Sequence, residues 1–480
     1  MHFVRFSIVD KETNKDLVMK KARFMGWICL FMLITSVSVY GQATRLTFVP
    51  MNDAVNKTII RECNYPATIS YVETTSEHFF IYNSGLNGNI QVISVPISTL
   101  LGVNDFVIKG DTVFFCGVRS GNGFIGFFCV NDFFFSTHNF QLLASIMPSV
   151  SGTVTSLNKM VLYSSNGIRE LVAIGKTSTG LDCVTVLQET SSMWTFQVGE
   201  LPASYNESIL DITVTDNYVI TAGFRNSNPY YPSMRAYEKA HIFSSSGFQN
   251  TSFISIPFNN NTCDYDCTQL ILTHIQSDTF ALAAYWKPHI PNTVTTPNGV
   301  YVGKYTVQNS TLGNNEIAYN SGVRVYMVYG SGGWKLRGMT KPASNTSAFY
   351  LLHDSEFSVQ APVSMVLELP YNSFYTLIPS TVMISYNPQI QFQSIDAYYN
   401  NTQCVMNGYS IPNPLELMFY QQFASLGDIC LYHSNVPYYN PGMSEKNNIL
   451  PFNVTSFSPI SFFTVNAQSA ENTLGHTVCP

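Results

Sequence analysis

Two cysteines in the segment FFCGVRSGNGFIGFFCV, residues 114–130, have the spacing of a cross-strand disulfide. The Asn-Gly pair within it favours a two-residue type I′ turn, because both central residues of that turn need positive φ. With Asn122 and Gly123 as the turn, Cys116 lies opposite Cys129 in a non-hydrogen-bonded pair, with Cα atoms about 4.5 Å apart. That separation is at the short end of what a disulfide spans. We therefore predict a Cys116–Cys129 disulfide, with two adjacent buried thiols as the alternative.

Two further cysteine pairs are candidates for disulfides, although spacing alone does not determine connectivity. Cys263 and Cys267, in the segment CDYDC, could bridge a loop locally, and Cys404 and Cys430 could pair around the last repeat of the chain. The two aspartates of CDYDC could contact calcium, but the segment lacks the further oxygen ligands of a calcium-binding loop. We interpret it as a solvated loop and predict neither a metal nor a cofactor.

The residues that could catalyse a reaction do not form a recognisable motif. The nine histidines show no HExxH spacing, and the chain has no GxSxG segment for a serine nucleophile. Glycoside hydrolysis needs two carboxylates that converge on one site. Asp111, Asp216 and Asp278 are candidates, but each lies where a tight turn favours Asp. We therefore favour a binding or scaffolding protein. A propeller-fold carbohydrate-active hydrolase or lyase, with carboxylates at a central channel, is the alternative.

The hairpin that contains Cys116 must be covered on both faces. Alternation along its strands places Phe114, Cys116 and Ile125 on one face and Phe115 and Phe124 on the other. An antiparallel hairpin with one solvated face would instead alternate polar and apolar residues. Each four-stranded sheet of a β-propeller packs against neighbours on both sides. The hairpin therefore indicates a fold of this kind.

A weak repeat along the chain supports the same architecture. Seven segments combine a turn residue with an apolar strand that ends in a small or polar residue: EHFFIYNSG, TVFFCGVRS, ELVAIGKTS, YVITAGFRN, TFALAAYWK, SAFYLLHDS and TQCVMNGYS. Their spacing is near the 40 to 50 residues of known propeller blades. We predict an all-β chain that forms a single seven-bladed β-propeller, with six or eight blades or two tandem β-sandwiches as alternatives. The segments LTFV, from Leu46, and FFTV, from Phe462, are predicted to close the ring by sharing a blade.

The motif DTVFFCG…GFIGFF, which spans Asp111 to Phe128, resembles one found in uncharacterised secreted β-propeller proteins of Gram-negative anaerobic bacteria. Beyond this motif, the resemblance extends to the rest of the chain only through the strand repeat. It implies a propeller fold and an exported protein. It implies no activity and assigns no functional residues.

The first part of the chain has the features of a secretory signal. Residues 19–42 begin with basic residues, continue with an apolar stretch at about 25–37, and reach Gly41, after which we expect cleavage. We therefore predict an N-terminal extension plus signal peptide, 1–41, and one β-propeller domain, 42–480. The apolar stretch is short for a bilayer-spanning helix, which needs roughly 20 residues. An uncleaved anchor helix is the alternative.

The charge of the chain excludes several classes of partner. The first 41 residues hold six of the 24 Lys and Arg residues and three of the 30 Asp and Glu residues, so the remainder carries 18 basic and 27 acidic residues, a net charge of −9. A negative protein has no general attraction to nucleic-acid phosphates or anionic lipid. Whether translation starts at Met1 or Met19, we expect an exported protein with no nucleic-acid partner and no stable membrane span after cleavage. We place it in the periplasm, at the cell surface or outside a Gram-negative bacterium.

Three long insertions after the fourth, fifth and sixth repeat segments are the predicted binding region. Equivalent loops of a propeller emerge at one end of the ring, so insertions in consecutive repeats would cluster over one sector. Exposed aromatic residues on loops are typical binding anchors. We predict that this rim contacts a carbohydrate or an extracytoplasmic protein through Tyr230, Tyr231, Arg235, Tyr285, Trp286 and His289. The alternative is that the loops only pad the rim and bury these side chains beneath themselves.

Overall fold

A computed structural model of the 480-residue chain provides the coordinates. The residues it describes are 44–64, 66–85, 89–95, 102–143, 154–165, 168–189, 194–201, 203, 207–225, 231–241, 251–255, 265–288, 299–309, 315–326, 334–341, 348–355, 363–370, 381–385, 390–397, 404–410, 414–422, 431–434, 438–439, 446–449, 453–454, 458–460, 462–466, 468–469 and 476–479. The predicted signal peptide lies outside them. Within them, no helix has the length and apolar character to cross a membrane.

The described residues form seven antiparallel sheets, numbered here 1 to 7 along the chain. Sheets 1 to 3 each begin with four strands that are consecutive in sequence. Sheet 1 contains β2 Val55–Glu62, β3 Thr68–Thr74, β4 His78–Asn83 and β5 Ile90–Val95. Sheet 2 contains β6 Val103–Lys109, β7 Thr112–Arg119, β8 Asn122–Cys129 and β9 Asn139–Leu143, with a short helix α1, Val130–Phe135, between its last two strands. Sheet 3 contains β10 Val154–Ser165, β11 Ile168–Thr177, β12 Asp182–Glu189 and β13 Trp194–Glu200.

Sheets 4 to 6 repeat this order, and sheet 7 departs from it. Sheet 4 contains β14 Asp211–Val214, β15 Tyr218–Arg225, β16 Tyr231–Glu238 and β17 Thr251–Ser255, with a 3-10 turn at Lys239–His241. Sheet 5 contains β18 Tyr265–Gln276, β19 Thr279–Pro288, β20 Gly299–Asn309 and β21 Asn315–Tyr326. Sheet 6 contains β22 Trp334–Thr340, β23 Ala348–Ser355, β24 Val363–Pro370 and β25 Thr381–Ser385. Sheet 7 contains β26 Ile390–Ala397, β27 Cys404–Ser410, β28 Glu416–Gln422 and, as its fourth strand, β1 Thr44–Pro50.

The sheets stand side by side in a closed ring. The first strand of each sheet contacts the first strand of the next, and β26 of sheet 7 contacts β2 of sheet 1. A ring of radially arranged antiparallel sheets is a β-propeller, so the all-β propeller class is confirmed and the tandem sandwiches are excluded. The N-terminal segment from Leu46 closes the ring as predicted, since β1 pairs with β28 along its whole length. The segment from Phe462 does not, because it pairs with β9 of sheet 2.

The hairpin of β7 and β8 is buried on both faces, as its composition predicts. Phe115 and Phe124 pack with Phe80 of sheet 1 in one apolar cluster. Phe114 and Cys116 pack with residues of sheet 3 in another. Burial of apolar area on both faces of a sheet stabilises it by about 25 cal/mol for each Å² removed from water. The hairpin is therefore packed between sheets 1 and 3.

The predicted Cys116–Cys129 disulfide is wrong, because the register of this hairpin differs from the expected one. The turn is formed by Ser120 and Gly121, with φ of 50° and 76°, and not by the Asn-Gly pair that follows. Cys116 then lies opposite Ile125, and Cys129 opposite Thr112. Both thiols are free. The partners of the other two predicted disulfides, Cys263 and Cys430, lie outside the described residues.

The repeat found in the sequence corresponds to the second strand of sheets 2 to 7. In four of these sheets the small residue of the repeat is a glycine whose position leaves no room for a side chain. A Cβ there would overlap a backbone carbonyl oxygen in or just before the first strand: Gly117 meets Gly102, Gly175 meets Ser156, Gly223 meets Ser208 and Gly408 meets Gln391. The first repeat segment is misassigned, since EHFFIYNSG overlaps β4, the third strand of sheet 1.

A fifth, outer strand is added to every sheet by the C-terminal part of the chain, which we call the belt, residues 431–479. Its strands are β29 Leu431–Ser434, β30 Tyr438–Tyr439, β31 Lys446–Ile449, β32 Asn453–Val454, β33 Ser458–Ile460, β34 Phe462–Asn466, β35 Gln468–Ser469 and β36 His476–Cys479. They pair in turn with sheets 6, 5, 4, 3, 2, 1 and 7, and both β32 and β33 pair with sheet 3. The belt therefore runs around the ring in the reverse order of synthesis.

Candidate functional site

The predicted rim region maps to connections between the second and third strands of sheets 4, 5 and 6. These sheets are neighbours in the ring, so the three connections emerge from one sector at the same end. The connections themselves, with Tyr230 and His289, lie outside the described residues. The backbones of Tyr231 and Trp286 belong to β16 and β19, but their side chains also lie outside what the structure describes. The rim hypothesis remains a prediction for these four residues.

The other two rim candidates are not exposed anchors. Arg235 and Tyr285 are 3% and 5% exposed. Arg235 is held by an ion pair whose Nη2 atom lies 2.9 Å from Glu207 Oε2, between two buried side chains. The reason is that the strands extend further than the sequence suggests: β16 begins at Tyr231, within the supposed insertion, and β19 continues to Pro288. The prediction that Arg235 and Tyr285 contact a partner is therefore corrected.

Two carboxylates on first strands, Asp105 and Asp211, are buried and join neighbouring sheets. Asp105 of β6 accepts a hydrogen bond from Arg61 Nη2 of sheet 1 at 2.6 Å and from the Met160 backbone N–H of sheet 3 at 3.2 Å. Asp211 of β14 repeats this arrangement. It accepts from Lys159 Nζ at 2.7 Å on one side.

The same device recurs around the ring. Asp211 also accepts the Leu272 N–H at 2.7 Å. Gln269 Oε1 accepts the Leu336 N–H at 2.6 Å, and Ser394 Oγ accepts the Ile60 N–H at 3.2 Å. In each case a polar side chain on a first strand is bound to the backbone of the next first strand. Hydrogen bonds to buried polar groups satisfy atoms that would otherwise lose their hydration. These polar side chains of the first strands therefore hold neighbouring sheets together.

The acids considered for catalysis also have structural roles. The Asp111 carboxylate accepts a hydrogen bond from Asn131 Nδ2 at 3.1 Å. Asp278 accepts hydrogen bonds from Asn217 N at 2.8 Å and Thr215 Oγ1 at 3.0 Å, which links the turns of sheets 4 and 5. Across the described part of the chain, no three His, Cys, Asp or Glu side chains are grouped closely enough to hold a metal ion. Asp264 of the CDYDC segment lies outside that part.

A cleft of about 400 Å³ lies between sheets 2 and 3. Thr112, at the start of β7, and its cross-strand partner Cys129, at the end of β8, place it at the end of the hairpin opposite the Ser120–Gly121 turn. It is therefore at the opposite end of the ring from the predicted rim. The residues that line it are Thr112, Phe114, Phe127, Phe128, Cys129, Asp132, Thr137, Asn139, Phe140, Gln141, Arg169 and Glu189.

The cleft has an aromatic wall with a charged pair beside it. The guanidinium of Arg169 lies over the ring of Phe114, with its central carbon 5.6 Å from the ring centroid. A cation at this distance from an aromatic face is attracted by the ring quadrupole. Nε and Nη2 of Arg169 also donate hydrogen bonds to the two carboxylate oxygens of Glu189. Two parallel bonds fix the orientation of the guanidinium relative to the carboxylate. The two side chains are 36% and 29% exposed, so solvent reaches both.

Cys129 contributes a neutral thiol to the cleft. Its pKa is raised above its usual value, first by partial burial and then by the negative charges of Asp111 and Asp132. The thiolate is the reactive form of cysteine, so this residue is a poor nucleophile at neutral pH. The cleft therefore has the properties of a binding site with fixed polar groups around an apolar wall, and clefts of about 300 to 1,000 Å³ with that composition accommodate small ligands.

Sequence patterns do not indicate this site. Phe114 belongs to a hairpin whose composition predicts burial, and the long insertions, where exposed aromatic residues predict binding, lie at the other end of the ring. The residues that complete the cleft are Arg169 and Glu189, and they come from strand ends of another sheet. A charged residue at each end of an otherwise apolar hairpin, as in IRELVAIGKT and DCVTVLQE, is the signal that could have drawn attention to them.

Comparisons with known proteins assign the chain to no family. No protein-family model matches the chain, and no curated protein matches it. Similar solved structures include a GH32 β-fructofuranosidase of Bombyx mori, with 8% identity, a TM-score of 0.30, and coverage of 86% of this chain and 94% of that one. An intramolecular trans-sialidase from Ruminococcus gnavus has 8% identity, a TM-score of 0.30, and coverage of 80% and 94%. A GH43_12 protein from a capybara gut metagenome has 9% identity, a TM-score of 0.20, and coverage of 89% and 96%. The resemblance to uncharacterised secreted propeller proteins receives no support from sequence comparison and remains a prediction.

Proposed function

We propose that this protein binds a carbohydrate in the cleft between sheets 2 and 3 and does not cleave it. The observation that carries the proposal is the composition of the cleft. Phenylalanine rings form one wall, and planar polar side chains surround it: Asp132, Asn139, Gln141, Arg169 and Glu189. Carboxylate, amide and guanidinium groups each present two coplanar donors or acceptors. They match two neighbouring hydroxyls of a sugar ring, while the ring's C–H face packs on an aromatic side chain.

The charge of the cleft favours a neutral carbohydrate over an acidic one. Arg169 is the one cation among the residues that line it, and its guanidinium is already paired with the carboxylate of Glu189. Asp132 adds a second carboxylate at an exposed position. An acidic sugar would have to approach both carboxylates without a free cation to compensate, and like charges in close contact cost free energy. We therefore propose neutral polysaccharides as the ligand class.

A binding role agrees with the state of the carboxylates near the channel. Asp105 and Asp211 are 5% and 1% exposed, and each uses both carboxylate oxygens in bonds between sheets. A catalytic carboxylate must reach the substrate and exchange a proton or form a bond with it. These two are committed elsewhere. We further propose that the protein is exported and meets its ligand in the periplasm, at the cell surface or outside the cell.

The test is a screen of the purified protein against neutral and acidic polysaccharides, scored for both retention and release of products. We expect retention of neutral polysaccharides without product. Phe127→Ala, which removes a half-buried ring of the cleft wall, should weaken retention about tenfold, the usual effect of removing an aromatic anchor. The matched control is Phe135→Ala. Phe135 is 52% exposed and does not line the cleft, so its removal should leave retention unchanged.

Two outcomes would contradict the proposal in different ways. Equal retention by the Phe127→Ala and Phe135→Ala variants would show that the cleft is not the site. Release of reducing sugars by the wild-type protein would favour the hydrolase or lyase alternative. Phe127 also packs against the apolar cluster that contains Phe114, so Phe127→Ala should lower the melting temperature; retention is therefore measured below the melting transition of both variants, which separates loss of the ligand from loss of the fold.

A further inference from the structure

The belt makes a connection at the point where the ring of sheets closes. In sheets 1 to 6, four strands follow one another in sequence, so hairpins hold them together. In sheet 7 the fourth strand, β1, comes from the N-terminal part of the chain. Without the belt, β1 would be attached to the sheet only by its pairing with β28. The last belt strand, β36, pairs with the opposite edge of β1. β1 is therefore held between two strands from the C-terminal part of the chain.

The belt also links the outer edges of neighbouring sheets. Each of its strands is two to five residues long, and an isolated pairing of that length is marginal in water. The strands nevertheless belong to one chain, so pairing of one raises the effective concentration of the next. Only one residue separates β33 on sheet 3 from β34 on sheet 2. Since an extended chain spans about 3.3 to 3.6 Å per residue, this connection leaves little freedom for the two sheets to separate.

We propose that the belt keeps the ring closed through the pairing of β36 with β1, which we call the clasp, and that opening the ring requires β36 to leave β1 first. The weak point of a closed ring of sheets is the one sheet assembled from distant parts of the chain. The belt places its final pairing there, after it has paired with the other six sheets. Release of β36 would leave β1 as an edge strand held by a single ladder. The clasp therefore controls the rate at which the whole ring unfolds.

A native cysteine makes the proposal testable in the full-length chain. Cys479 of β36 is the Cα partner of Leu46 of β1. Partners in antiparallel strands have Cα atoms about 4.5 to 5.5 Å apart, within the range that a disulfide spans. Leu46→Cys should therefore form a disulfide with Cys479 under oxidising conditions and lock the clasp. We expect the oxidised variant to unfold in denaturant at least about tenfold more slowly than the same variant after reduction.

Amide hydrogen exchange distinguishes a disulfide that keeps the whole ring closed from one that stabilises only β1 and β36. If the belt closes the ring, the oxidised variant should show slower amide exchange in the first strands of all seven sheets. If slowing is confined to β1 and β36, or if the oxidised and reduced forms unfold at the same rate, the belt is an addition to an already closed ring and the proposal is wrong. Failure of the disulfide to form would contradict the pairing on which it rests.

The matched control is Arg45→Cys. Arg45 adjoins Leu46 in β1, but successive side chains of a strand point to opposite faces, so a cysteine there should not reach Cys479. Its oxidised and reduced forms should unfold at equal rates. Comparison of one variant in two redox states removes any effect of the substitution itself on folding, and peptide mapping establishes which cysteines are joined.

Discussion

The ammonium of Lys159 lies 2.7 Å from the carboxylate of Asp211, and this ion pair joins the first strands of two adjacent sheets. The Asp211 side chain is 1% exposed, while that of Lys159 is 38% exposed. The same carboxylate accepts the backbone N–H of Leu272 from the sheet on the other side. One side chain thus connects three consecutive sheets near the channel.

Asp211→Asn should destabilise the ring. The amide removes the charge that pairs with Lys159 and replaces one acceptor oxygen by a donor, which leaves either the Leu272 N–H or the Ile212 N–H without its partner. Leaving a buried polar group unsatisfied and a charge unpaired costs about 2 to 4 kcal/mol. We expect the free energy of unfolding, measured by urea denaturation, to fall by that amount.

The control for this prediction is Glu189→Gln. Glu189 also forms an ion pair, but both partners are about one-third exposed, and such pairs contribute about 0 to 1 kcal/mol. If Glu189→Gln costs as much stability as Asp211→Asn, the bond between the sheets has no special role.

Gly175→Ala should be among the most damaging single-methyl additions in the described residues. The new Cβ would overlap the Ser156 carbonyl oxygen, which belongs to the backbone of the adjacent strand and can move only by distorting that strand. We expect a loss of about 3 kcal/mol in the free energy of unfolding. Gly180→Ala separates steric overlap from backbone strain, since Gly180 has a φ of +79° and nothing within 4 Å of the added atom. It should cost about 1 kcal/mol, and equal losses for the two variants would contradict this explanation.

Cys116 and Cys129 should both react with iodoacetamide after unfolding without any reductant. The register of their hairpin places each opposite a different residue, so no bond joins them. Mass spectrometry of the peptides should find two alkylated cysteines. A mass two hydrogens lower, restored only by prior reduction, would show that the Asn-Gly turn and the disulfide are correct after all.

Asp182 should make stability fall as the pH rises. Burial raises the pKa of this carboxyl above the ordinary value of 3.8, although the nearby Lys176 opposes the shift. The folded state therefore binds more protons than the unfolded state from about pH 3.8 up to the raised pKa, and stability decreases across that interval. Asp182→Asn removes the titration. In urea denaturation between pH 4 and 7, the free energy of unfolding of the variant should therefore rise relative to that of the wild type as the pH increases.

The control for the pH dependence is Thr179→Ala, which changes a nearby exposed residue and no titratable group. Its stability should differ from that of the wild type by the same amount at every pH. A constant difference for Asp182→Asn as well would mean that the carboxyl does not titrate in this interval.

The fold could be predicted from the sequence because the burial of a strand is visible in the polarity of its own residues. Phe114 and Phe115 point to opposite faces, and both are apolar, so the hairpin had to lie between two sheets. The small residue of the repeat was equally visible, since Gly175 and Gly223 stand at the same place in their segments. These signals depend on a few neighbouring positions, and pairing between sheets does not alter them.

The register, the cleft and the belt could not be predicted in this way. Both Ser120–Gly121 and Asn122–Gly123 can form a two-residue turn, and the choice depends on packing of the whole hairpin between its neighbours. Moving the turn by two residues keeps every side chain on its face, so the apolar pattern is the same for both registers. The cleft depends on Arg169 and Glu189 meeting a different sheet, and the belt on pairings of a few residues each, too short to leave a pattern.

The reverse path of the belt has a consequence for how the protein is made. A ribosome releases sheets 1 to 6 one after another and the belt only after them, so β1 has no β36 to pair with until all six sheets have emerged. A chain that lacks the belt cannot form the pairing of β36 with β1. The outer edges of the sheets therefore stay unpaired until the belt has been synthesised and has paired with each sheet in turn.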